Sequence, residues 1–124
     1  MNGVKKVLLI GWHPESTDYS KWPGLDAEKL STALKRAKEN LVSQGYDAEW
    51  CYLRNESTDS DLLRNTLTDA KYDCVLIGAG VRLDPSALVV FERLINTIGT
   101  AAPGCKICFN TNLSDIVESV RRWT

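Results

Sequence analysis

Short apolar runs alternate with amphipathic stretches four times along the chain. Residues 4–12 are almost continuously apolar after Lys6, as in a strand covered on both faces. Ala27, Leu30, Leu34, Ala37 and Leu41 then recur at spacings of three and four, which sets them on one face of a helix closed by Gly45. Residues 46–53 alternate, with Ala48, Trp50 and Tyr52 on one face and Asp47, Glu49 and Cys51 on the other, the pattern of a less covered edge strand. Ser57, Thr58 and Asp61 form a capping-box pattern ahead of Leu62, Leu63, Leu67 and Ala70. Residues 74–79 are wholly apolar and read as a central strand. Asp84 as N-cap and Pro85 as first helical residue open a helix over 84–100, with Leu88, Phe91, Leu94, Ile95 and Ile98 at its apolar positions. Residues 106–111 supply the fourth strand and 113–123 the last helix, with Ile116, Val117 and Val120 inward.

Strand and helix in strict alternation, joined by right-handed crossovers, predict a parallel sheet with helices on both faces. The expected architecture is a three-layer α/β/α sandwich with a four-stranded sheet of order 2-1-3-4, occupying residues 1–124 as one domain. This succession of elements resembles a trimmed flavodoxin-like or Rossmann-like domain. The likeness covers the whole chain as a pattern and rests on no family motif, so it implies a fold and no activity.

Composition narrows the partners. The 124 residues are 44% hydrophobic and 25% charged, and carry a formal net charge of -1. Basic residues are scattered as Lys5-Lys6, Lys35-Arg36-Lys38 and Arg121-Arg122, so neither nucleic acid nor an anionic membrane is expected as a partner. The apolar run behind Lys5-Lys6 stops at Gly11, short of the roughly 7 to 15 residues of a signal-peptide core. No stretch approaches the roughly 18 apolar residues of a membrane span, and the expected location is cytoplasmic. Cys105 and Cys108 form a C-x-x-C pair, but an odd separation within a strand puts them on opposite faces. With Cys51 and Cys74 they read as small buried thiols, and no metal site is expected.

In an open parallel sheet, ligands bind beyond the carboxyl ends of the strands, where the winding direction reverses. Here that place lies between the first and third strands. The segments reaching it contain Gly11, Trp12 and His13; Gly78, Gly80 and Arg82; and Asn110 and Asn112, with Arg54 to the side. His13 is the single histidine and the candidate acid or base. Glycines at 78 and 80 allow close approach, and the planar fork of Arg82 suits a carboxylate or phosphate unless it pairs with Asp84. Aspartates or glutamates stand at all four expected helix starts, which disfavours phosphate binding there. Gly78-Ala79-Gly80 lacks the third glycine of a dinucleotide fingerprint, and the carboxylates of a receiver-type phosphoacceptor site are missing. The long segment from His13 to Gly24 suits a lid, with Tyr19 and Trp22 placed either to stack on a ring or to pack the loop down.

These features support three readings: a binding site for a small polar or anionic ligand, a small-molecule hydrolase or transferase using His13, and a homodimeric interaction module. The last follows from Ala87-Leu88-Val89-Val90-Phe91, more apolar surface than one helix face buries, and from the open edge at 106–111. The residues name no cofactor.

Overall fold

The four apolar runs are four parallel strands in the computed structural model, which describes residues 3–124. These are β1 (Lys6–Trp12), β2 (Asp47–Leu53), β3 (Cys74–Ile77) and β4 (Lys106–Phe109), hydrogen-bonded in the order β2-β1-β3-β4, as the alternation predicted. The helices among the described residues are α1 (Ala27–Ser43), α2 (Asp59–Asp69), α3 (Ala79–Arg82), α4 (Leu88–Ala101) and α5 (Ile116–Arg121). Side-chain alternation splits the core into two layers. Leu8, Ile10, Cys51, Leu53, Val75 and Ile77 pack beneath α2 and α4, whose inward residues include Leu63, Leu67, Leu94 and Ile98. Val7, Leu9, Ala48, Cys74, Leu76 and Cys108 pack beneath α1 and α5 through Ala37, Leu41, Ile116 and Val120. The result is the three-layer, flavodoxin-like sandwich. No helix among the described residues is long and apolar enough to cross a membrane.

Local polar chemistry moves several boundaries. Val4 is 62% exposed and lies outside β1. β3 stops at Ile77, because Gly78 N-caps the one-turn helix α3, an element the apolar pattern does not reveal. Asp84 does cap through its side chain, accepting from the Ser86 N–H, but the turn it starts is a 3-10 turn (Pro85–Ala87), and α4 begins only at Leu88. Leu88 is consequently exposed rather than inward. β4 ends at Phe109, since the Asp115 carboxylate takes the N–H groups of Thr111 and Asn112 and folds the chain away from the sheet. The same turn delays α5 to Ile116.

The capping box at the start of α2 does not form. Thr58 makes no side-chain cap bond; instead the buried Asp59 accepts from the N–H groups of Arg54 and Glu56, and Leu62 faces solvent. Cys105 and Cys108 do lie on opposite sides of the sheet, Cys105 at the edge of one core layer and Cys108 inside the other. Cys51, Cys74 and Cys108 are buried, whereas Cys105 is only half-buried. Burial pushes the thiols of Cys51 and Cys105 up to about 11, and Cys74, hydrogen-bonded to Cys108 with sulfurs 3.5 Å apart, is raised as well. Thiols held protonated in this way are poor nucleophiles.

Candidate functional site

The sheet reverses its winding between β1 and β3, and a crevice of about 290 Å³ opens there at the carboxyl edge. It lies on the α1 and α5 side of the sheet. Gly11 and Leu76 form the floor, Leu30 and Leu34 of α1 one wall, and Leu113 and Ile116 the other. Trp50 of β2 closes the end beyond Gly11, which must be small: a Cβ there would come within 3.2 Å of the Trp50 ring. Gly78 is constrained differently, since a Cβ would meet the Ile10 carbonyl oxygen at 3.1 Å, where β3 leaves the sheet beside β1.

Two of the indoles are fixed. The Trp12 N–H donates to the Gly80 carbonyl (3.2 Å) and the Trp50 N–H to the Leu34 carbonyl (2.9 Å), while Trp50 also stacks on Tyr52. The third, Trp22, belongs to the connection between β1 and α1, which supplies Thr17, Trp22 and Leu25 to the lining. That connection is folded as two 3-10 turns, Pro14–Ser16 and Tyr19–Lys21. It is latched to the segment between α3 and α4 by Lys21, whose ammonium lies 2.9 Å from Asp84 and 3.4 Å from the Ser86 hydroxyl. The Ser86 hydroxyl, then Lys21, then the Ser86 N–H hold the Asp84 carboxyl down at about 2.

Seven of the residues singled out in the sequence line this crevice: Gly11, Trp12, Trp22, Gly78, Gly80, Asn110 and Asn112. Asn110 is buried and committed to the fold, accepting from the Ala79 N–H (3.0 Å) and donating to the Asn112 carbonyl (2.8 Å). His13, Arg82 and Arg54 are not brought to it. The backbone of His13 pairs with Leu53 of β2, its ring meets Tyr52 edge-on, and its Nδ1 accepts from the Glu15 N–H at 3.0 Å. That ring nitrogen caps a turn, and the imidazole does not line the crevice. Arg82 does not pair with Asp84, which Lys21 occupies. Its guanidinium donates to the Asn110 carbonyl (2.8 Å) and lies over the Phe109 ring, leaving its buried Nε without a partner. Arg54 is exposed beside β2, with its N–H held by Asp59.

Most of the apolar lining, Leu30, Leu34, Trp50, Leu76 and Ile116, is absent from the polar set that sequence reasoning favours. A signal existed for Trp50: it lies on the same face as Gly11, one strand over, with the adjacent Leu9 as its register partner. A larger cavity of about 760 Å³ opens at the opposite, amino edge, lined in part by Lys5, Lys71, Lys106 and Trp123. The carbonyl ends of α2 and α4 reach it. Among the described residues no group of three or more His, Cys, Asp or Glu side chains is placed to hold a metal ion. The chain matches no model of a known protein family and no curated protein.

Proposed function

We propose that this chain is a small-molecule-binding domain that takes its ligand in the crevice at the carboxyl edge of the sheet. One observation carries the reading: a cavity of about 290 Å³, near the lower end of the ligand-pocket range of roughly 300 to 1,000 Å³, coincides with the site where the winding reverses. Two of its lining residues are indoles already fixed by hydrogen bonds, so little side-chain freedom is lost when a ligand enters. The ligand's polar part would meet Thr17, Thr111 and Asn112 at the mouth, and its body the indole and aliphatic walls. Binding rather than catalysis is favoured because the one histidine does not line the crevice. Four free cysteines suit a reducing, cytoplasmic setting.

The test is a thermal-shift panel of nucleotides, flavins, sugar phosphates, small carboxylates and uncharged aromatics, run on wild type and on Trp22→Ala. Trp22 is 43% exposed, so its truncation spares the core. A ligand at about 100 times its dissociation constant adds roughly 2.7 kcal/mol. A hit in wild type that Trp22→Ala weakens supports the crevice; a hit of equal size in both variants places the ligand elsewhere and refutes it.

A second reading, self-association, is favoured by one feature. β4 is paired on one side only, and Phe109 on it adjoins Phe91 of α4, whose neighbours Leu88 and Val89 are 60% and 55% exposed. A second copy pairing along β4 would cover both the edge and this patch. Leu88→Asp should then shift the mass in light scattering toward monomer; an unshifted mass refutes the interface.

A further inference from the structure

We infer that the crevice selects an uncharged, flat ring system of about two fused rings. This rests on the crevice being the ligand site. No charged side chain belongs to its lining. Two cations on the segments that border it are engaged elsewhere: Lys21 with Asp84 and Ser86, and Arg82 with the Asn110 carbonyl. A carboxylate or phosphate entering the crevice would shed water and find no counter-charge, which is the costly case of an unpaired buried ion.

The hydrogen-bonding inventory points the same way. The indole N–H groups of Trp12 and Trp50 and both ends of the Asn110 amide are bonded inside the protein. The Thr17 hydroxyl donates to the His13 carbonyl, and that of Thr111 donates to Asp115 while accepting from the Asn112 amide, so neither has a proton to offer. A ligand therefore meets few polar groups. Size sets the rest: an aliphatic cavity of about 150 Å³ takes benzene, so about 290 Å³ accommodates a second fused ring. The walls are flat where they are aromatic, and Trp22, the most exposed of the three indoles that line it, can stack on a planar guest.

Calorimetric titration at neutral pH with two probes of one shape, naphthol and naphthoate, separates ring from charge. Wild type should bind naphthol at least about tenfold more tightly than naphthoate, the discrimination expected when a charge is left unpaired. Trp22→Ala should weaken naphthol. If naphthoate binds as tightly or more tightly, and Trp22→Ala weakens it, the crevice stands as the site but the inference about charge is overturned. If neither probe binds, or binding ignores Trp22→Ala, the ring inference is overturned. The crevice reading then stands or falls separately, on whether another class in the thermal-shift panel gives a hit that Trp22→Ala weakens.

Discussion

Replacing Asn110 by leucine separates a residue that serves the fold from one that serves a ligand. The side chain is 2% exposed and joins two segments, its own turn through Asn112 and the start of α3 at Ala79. Leucine has a similar volume and no polar atoms. It strands the half-buried Ala79 N–H, at a cost of about 2 kcal/mol, and deprives the solvent-reachable Asn112 carbonyl, at about 1 kcal/mol. Extra apolar burial returns about 1 kcal/mol, so the net loss is about 2 kcal/mol. At roughly 2.1 cal/mol/K of unfolding entropy per residue, that lowers the melting temperature by about 8 °C. Urea denaturation followed by circular dichroism should show this loss with an unchanged slope. A loss under about 0.5 kcal/mol would refute the assignment of Asn110 to the scaffold. Asn110→Asp adds a test of sign: one oxygen still accepts from Ala79, but the other faces the Asn112 carbonyl where an N–H had donated. Its folded-state pKa should be raised, so this variant should approach wild-type stability below the ordinary carboxyl value of about 3.9 and lose it as pH rises. A flat pH dependence relative to wild type would contradict that geometry.

Three further outcomes follow from the same structure. Gly78→Ala places a methyl group 3.1 Å from the Ile10 carbonyl oxygen while φ stays at an ordinary -65°, so the cost is steric. It should destabilise by about 1 to 2 kcal/mol in urea, and wild-type stability would show that β1 and β3 are less closely apposed there. Asp84, held down at about 2 by Ser86 and Lys21, contributes stability that is fully present above the unfolded value near 3.9 and lost as pH falls toward 2. Asp84→Asn should flatten the acid limb of stability in that window, and an unchanged acid limb would argue against the Lys21 latch. His13→Ala should leave ligand affinity in the crevice unchanged, as read by calorimetry, because the imidazole does not line it; a tenfold loss would return His13 to the site.

The strand order was legible because it depends on long-range features that a linear pattern carries: four apolar runs, amphipathic segments between them and the handedness of crossovers. The crevice position followed from that order. What the pattern could not carry is the local competition of polar side chains for backbone groups. Asp59 reaching back to Arg54 and Glu56, and Asp115 reaching back to Thr111, both turn an expected helix cap into a loop clamp. The lining of the crevice is hard to read from the sequence for a related reason. His13, Arg82 and Arg54 drew attention as polar residues near a strand end, but hydrogen bonds to Glu15 and Asn110 engage the first two and Arg54 stays out on the surface. The residues that line the cavity are apolar ones the periodicity had assigned to the core, such as Leu34 and Ile116.

The four tryptophans make the central claim directly measurable, because Trp12, Trp22 and Trp50 line the carboxyl-edge crevice while Trp123 borders the cavity at the opposite edge. In a nitrogen–proton correlation spectrum each indole N–H gives its own signal, and the best ligand from the panel can be titrated against all of them at once. Binding in the crevice predicts that the signals of Trp12, Trp22 and Trp50 move together and saturate while that of Trp123 stays in place. Movement of Trp123 alone, or no movement of the other three at saturating ligand, would contradict it.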